Sequence, residues 1–278
     1  PSSAASDVYK RQAIKAFYEQ ANYYREVPNG GEIRVSHFLA QTFDVANEES
    51  LLIGALILSM INKGCIDPQT EESVGAFGKS KKSVNLKLIK KPDTDIEKKL
   101  YKVLVKAAGE DGILQEKELE KYAYKHPKSV SNLLENALDD GREIFAENKG
   151  FTGHSGRNIS DLTAKGKEEL AEVMGLKKYL EDFSLISERE ISETIIWQDY
   201  MVYATLFGIA DKVIKQFEKV YPDRVPEFEN YNRNVIIAHS YCHSMHRSAE
   251  RAMQEERTSG QGGFASIGGG GGFSGGGT

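Results

Sequence analysis

Four side chains near the C-terminus, His239, Cys242, His243 and His246, have the types and the spacing to hold a metal ion. On a helix they fall on one face, and imidazole with thiolate is a ligand set for zinc or copper. Structural zinc sites gather ligands from two separated elements, however, and no second Cys/His pair occurs. The competing explanation, a histidine-rich helix face that packs lightly, is therefore favoured, and no cofactor is expected.

The segment KSKKSVNLKLIKK carries six lysines, Lys79, Lys81, Lys82, Lys87, Lys90 and Lys91, and no acid. Ammonium groups at that density could touch phosphates or an anionic membrane surface. They also suit a solvated ribbon edge, where lysine discourages edge-to-edge pairing. The stretch EDGILQEKE (Glu110 to Glu118) has the Asp-Gly and the glutamate of a calcium loop. Ala107 and Gly109 stand where its first two oxygen ligands are needed, so it reads as a turn before a capped helix.

No nucleophile elbow, Walker loop, HExxH or dinucleotide fingerprint occurs, and an enzyme is not expected. Trp197, Tyr200, Tyr203 and Phe207 recur at three- and four-residue steps along one helix face. That pattern points to core packing against the second of the two units described below rather than to a ligand pocket.

The elements that must position these residues are mostly helical. The chain has 278 residues, 40% hydrophobic and 28% charged, with a net charge of −5 that gives no general attraction to nucleic acid. Its two cysteines, Cys65 and Cys242, argue against a disulfide framework and fit a reducing compartment. The two most apolar stretches, Leu51 to Ile61 and Ile195 to Ala210, read as buried helices. The first is too short to span a bilayer, and the second carries Gln198 and Asp199.

Residues 31–92 read as helix, helix and a two-stranded ribbon, the plan of a winged-helix unit. Helices are expected over His37 to Val45 and Glu48 to Asn62, with acids in the first turn of the second. A short strand at Cys65 to Asp67 leads into a polar loop from Pro68, and a half-buried strand follows at Ser83 to Ile89. Residues 93–172 repeat the plan. Helices are expected over Asp95 to Ala108, over Gln115 to Tyr124 and from Pro127 through Leu138, then a ribbon of Gly150 to Thr152 with Asn158 to Leu162. Residues 173–222 form a helical cap, broken near Gly208 and stopped by Tyr221-Pro222. Residues 223–257 form a helical extension with its helix over Glu229 to Arg257. Residues 258–278, with 11 glycines, cannot bury enough surface to order and form a disordered Gly-rich tail. The fold class is mainly α with small β ribbons (α+β), built from tandem winged-helix-like units.

Three pieces carry a family resemblance: LTAKGKEELAEVMGLKKYLEDFS, IIWQDYMVYATLFGIADKVIKQFEKV and the glycine tail with Phe264, Ser266, Phe273 and Ser274. The region from Leu162 to Val220 with that tail resembles the C-terminal part of the domain-of-unknown-function 2207 family of predicted bacterial membrane proteins. The resemblance implies that the chain is the soluble part of a protein held at the cytoplasmic face of a membrane by segments N-terminal to it. In that reading PSSAASDVYKRQ (1–12) is a sequencing-adapter scar, and residues 13–30, which include Tyr23-Tyr24-Arg25, are a juxtamembrane linker. The resemblance brings no known activity.

The helices that would read DNA in such units, Glu48 to Asn62 and Lys128 to Asp140, offer almost no base-reading side chains, so nucleic acid is not an expected partner. The expected function is an interaction or regulatory module for protein partners. The alternatives are a nucleic-acid-binding winged-helix protein using the lysine ribbon and a metal-binding protein using His239 to His246.

Overall fold

The computed structural model describes residues 3–74, 80–153, 156–183 and 194–261. Its centre is α3 (Leu51–Asn62), in which every residue from Leu51 to Leu58, and Met60, is buried. A helix that is apolar all round must be surrounded. The structure surrounds it with α8 (Thr194–Leu206) and α10 (Val225–Gln261), which meet it at Gly54. A Cβ built on Gly54 would lie 3.5 Å from both Cys242 and Thr205. Glu48 and Glu49 precede α3 rather than forming its first turn, because the helix begins only at Leu51.

N-terminal to this centre lie α1 (Ser3–Gln20) and α2 (Ile33–Thr42). Asn29, Gly30 and Gly31 form a turn, with Asn29 and Gly30 at φ of 54° and 60°. Asn29 ties it to α7 (Ala164–Glu181), its backbone N–H donating to Glu172 at 2.7 Å.

The hairpin of β1 (Ile66–Val74) and β2 (Ser80–Leu88) is antiparallel, and β3 (Ile113–Leu114) adds to β2 in the order β1-β2-β3. The ladder is longer than the sequence suggests, since Pro68 pairs opposite Leu86 instead of opening a loop. Proline is tolerated there because β1 is an edge strand.

Beyond the hairpin come α4 (Asp95–Ala108), α5 (Glu116–Lys125) and α6 (Pro127–Glu147). Thr94 caps α4, whose buried stripe is Ile96, Leu100, Leu104 and Ala108. Gln115 and Glu118 form a capping box on α5, and Pro127 opens α6 at its first turn. α6 continues past Asp140 and crosses α2 so closely that a Cβ on Gly141 would sit 2.2 Å from the Arg34 carbonyl oxygen. The second ribbon is smaller than expected. It consists of one bridge, Phe151 to Leu162, because Ile159–Asp161 coils into a 3-10 turn held by backbone N–H groups of Arg157 and Asn158 on Asp161.

The chain then runs through α7 and α8 into α9 (Ala210–Val220). The break between α8 and α9 falls at Gly208 as expected, with φ of +73°. Trp197, Tyr200, Tyr203 and Phe207 are all buried, but their partners differ from the expectation. Trp197 packs on Phe183, Phe217 and Phe228 at ring distances of 5.6, 4.1 and 5.9 Å, within the C-terminal helices themselves. α10 is one 37-residue helix, longer than its thin apolar stripe suggests. Residues 258–261, expected in the tail, belong to it, and residues 262–278 lie outside the described residues. Tyr241 fastens α10 to the sheet, its hydroxyl lying 2.9 Å from the carbonyl oxygens of both Val84 and Leu114.

Candidate functional site

The buried stripe of α10 includes Ala238, Tyr241, Cys242, Met245 and Ala249, and it divides the four residues first considered as metal ligands. Cys242 faces α3, is 3% exposed, and its Sγ donates to the Ser50 carbonyl at 3.0 Å. Burial pushes its thiol up to about 12. His239 and His243 are exposed and stack nearly parallel, 6.3 Å apart. His246 Nε2 lies 3.3 Å from Glu250. The histidines share one edge of the helix, and Cys242, buried against α3, lines the same small cavity as they do. Among the described residues, no group of three or more His, Cys, Asp or Glu side chains is placed to hold a metal ion.

What this edge of α10 does line is a cavity of about 770 Å³. Its apolar floor comes from Leu51 at the start of α3, Ile209 and Ala210 at the α8–α9 turn, and Val235 and Ile236 on α10. Glu116, the first residue of α5, reaches into its wall and accepts hydroxyl hydrogen bonds from Ser240, at 2.7 Å, and from Ser244. A second cavity, of about 420 Å³, shares Glu48, Leu51, His239 and His243 with the first and continues to His246 and Glu250. Together they make a groove along α10 from Val235 to Glu250, roughly 22 Å at the helical rise per residue.

The groove is acidic. Glu48, Glu116 and Asp211 line its first part, and Glu49 and Glu250 its second. The lysine in its lining, Lys212, has its ammonium 4.0 Å from Glu181 on α7. Partial burial, and then the neighbouring Glu135, raise the Glu49 carboxyl above its ordinary value.

A third cavity, of about 480 Å³, lies where α2, α4 and α6 meet, and both signs of charge line it. Asp140 receives Lys99 at 2.9 Å and Arg34 at 3.4 Å, and the Lys99 hydrogen bond is the main cause holding its carboxyl below the usual range. This is an ion-pair clasp between helices.

The lysine ribbon is less basic in space than in sequence. Lys87 pairs opposite Asp67, Lys82 opposite Glu72 and Lys81 opposite Ser73, while Lys79 lies outside the described residues. Lys87, Lys90 and Lys91 are exposed near the base of the hairpin. The acids come from β1, of which Asp67 lies in the expected strand and Glu72 in the part that reads in sequence as a loop. The groove carboxylates escape sequence reasoning for a related reason. They come from four separate elements, and no spacing links them.

Residues 148–217 match the model described as the predicted membrane protein (DUF2207) C-terminal domain, which bears out the resemblance seen over α7, α8 and α9. No curated protein and no solved structure matches the chain. Among the described residues no helix is long and apolar enough to cross a membrane. The matched segment supplies one wall of the groove, at Thr205, Gly208, Ile209, Ala210, Asp211 and Lys212.

Proposed function

We propose that this chain is an interaction module of a membrane-associated bacterial protein, displayed at the cytoplasmic face, and that it docks a partner polypeptide in the groove along α10. The observation that carries this reading is the groove itself. It combines an apolar floor with a polar rim, the usual make-up of a recognition surface. Its walls come from α3, α5, α8–α9 and α10, elements fixed to one another by the core, so the surface is preorganised.

The element order supports a scaffold. α4, β3, α5, α6 and the Phe151–Leu162 bridge follow one another in the order of a winged-helix unit, and α2, α3 and the hairpin make a shorter version. In both, the helix that would read DNA is unsuited to it. α3 is buried on every side, and α6 carries Glu135, Asp139, Asp140 and Glu143. The acids of β1 opposite the lysine ribbon weigh against phosphate binding there.

A photoreactive phenylalanine at Ile236, which is 57% exposed in the groove, tests this in the whole protein in its native membrane. The same probe at Ile89, beside the lysines, serves as the comparison. Crosslinks from position 236 to polypeptide are expected. Nuclease-sensitive adducts from position 89, with no polypeptide adduct from 236, would favour a nucleic-acid binder and end this reading.

A further inference from the structure

We infer that the occupant of the α10 groove is a cationic, amphipathic peptide segment about 15 residues long, lysines or arginines on one face and aliphatic side chains on the other; this rests on the interaction-module reading above. The geometry divides the work. Ile236, and in part Ile209, offer apolar surface over the buried Leu51 and Val235, and Ile236 is among the few large apolar side chains left exposed among the described residues. Covering such surface is favourable in proportion to the area removed from water. Five carboxylates flank it, and the lysine beside them is engaged with Glu181 across the gap to α7.

Charge complementarity then selects the sign of the occupant. An acidic segment would bring like charges together along the whole groove, whereas a basic one gains at each carboxylate and is steered in during encounter. Glu116 adds register. Its two serine hydrogen bonds hold the carboxylate at a fixed point in the wall, where an arriving guanidinium or ammonium finds an acceptor already oriented.

The test uses two synthetic 15-residue peptides, one with lysine and leucine faces and a twin with glutamate for lysine, titrated by fluorescence anisotropy against the intact chain. The lysine peptide should bind in the micromolar range and the glutamate twin at least ~20-fold more weakly. Binding should weaken severalfold as salt is raised from about 50 to 300 mM, because the rim is exposed. Glu48→Lys/Asp211→Lys should weaken the lysine peptide by ~10-fold, and Ile236→Asp by ~5-fold, with thermal stability nearly unchanged because all three residues are exposed. A control of equal charge change, Glu19→Lys/Glu147→Lys, should leave binding within about twofold, since neither residue lines the groove and exposed charges are screened by salt.

Equal loss in groove and control variants would mean attraction to net charge alone and would overturn the inference. So would binding of the glutamate twin, the absence of lysine-peptide binding, or self-association through the groove in sedimentation. If polypeptide still crosslinks to position 236 in the membrane while the lysine peptide fails, the occupant is wrong and the module reading stands. If neither occurs, both fall.

Discussion

The hydroxyl of Tyr241 lies 2.9 Å from the carbonyl oxygen of Leu114, so a residue of the last helix completes the hydrogen bonding of the shortest strand. The same hydroxyl serves the Val84 carbonyl at the same distance. Burial, reinforced by Glu116 and Glu118, raises the phenol above its ordinary value and keeps the proton available for donation. Tyr241→Phe should therefore cost ~1–2 kcal/mol, the penalty of buried carbonyls losing their donor. Urea denaturation measures it, and an unchanged midpoint would mean that water replaces the phenol.

Gly141 is required by the crossing of α2 and α6. Gly141→Ala places a methyl group 2.2 Å from the Arg34 carbonyl oxygen, a backbone atom that cannot rotate away. The two helices must separate, and a loss of ~3 kcal/mol or more is expected, at the upper end for overpacking. A loss below ~0.5 kcal/mol would place the mutation among surface substitutions and deny the close crossing.

Leu52 and Leu58 on α3 are 0% and 1% exposed, so truncating either to alanine should open a cavity. The expected cost is ~2–5 kcal/mol for each. A cost below ~1 kcal/mol at both would mean that the α3 surface is solvent-facing after all.

Stability should fall with mild acid through His37. Its ring is 0% exposed, neither ring nitrogen has a hydrogen-bond partner among the described residues, and burial lowers its pKa from 6.5 to about 4. The unfolded chain binds the proton more readily, so stability is full above pH 6.5 and declines as the pH falls toward 4. The difference is about 3 kcal/mol at most, from the free energy equivalent of a pKa shift. Across that range the denaturation midpoint of the wild type should fall more steeply than that of His37→Leu. Parallel curves would place the pH dependence elsewhere.

Much of this architecture is legible because single elements carry their own signals. Leu51 to Met60 is too apolar for anything but an interior helix, Gly208 interrupts a long helix where a positive φ is needed, and Pro127 opens α6. Pairings between distant segments are not legible. Ile113-Leu114 is too short to show alternation, so its place beside β2 leaves no trace in the sequence. The polar segment after Pro68 reads as a loop, yet it is the edge strand that sets acids against the lysines. At the site, helical spacing correctly gathers His239, His243 and His246 on one edge. It does not reveal that Cys242 is buried against α3, because one step around the helix separates solvent from the packed side and only α3 decides where that border falls.

The burial of α3 also bears on how the chain is made. Its covering helices α8 and α10 are encoded far downstream, so during synthesis α3 emerges roughly 180 residues before Tyr241. At about 5–20 residues per second, that leaves an almost wholly apolar helix uncovered for roughly 10 to 35 s. A nascent chain in that interval presents what trigger-type chaperones and insertion machinery bind, a short greasy helix with no partner. Emergence of α8 and α10, rather than completion of any N-terminal unit, is then the event that permits the core to close.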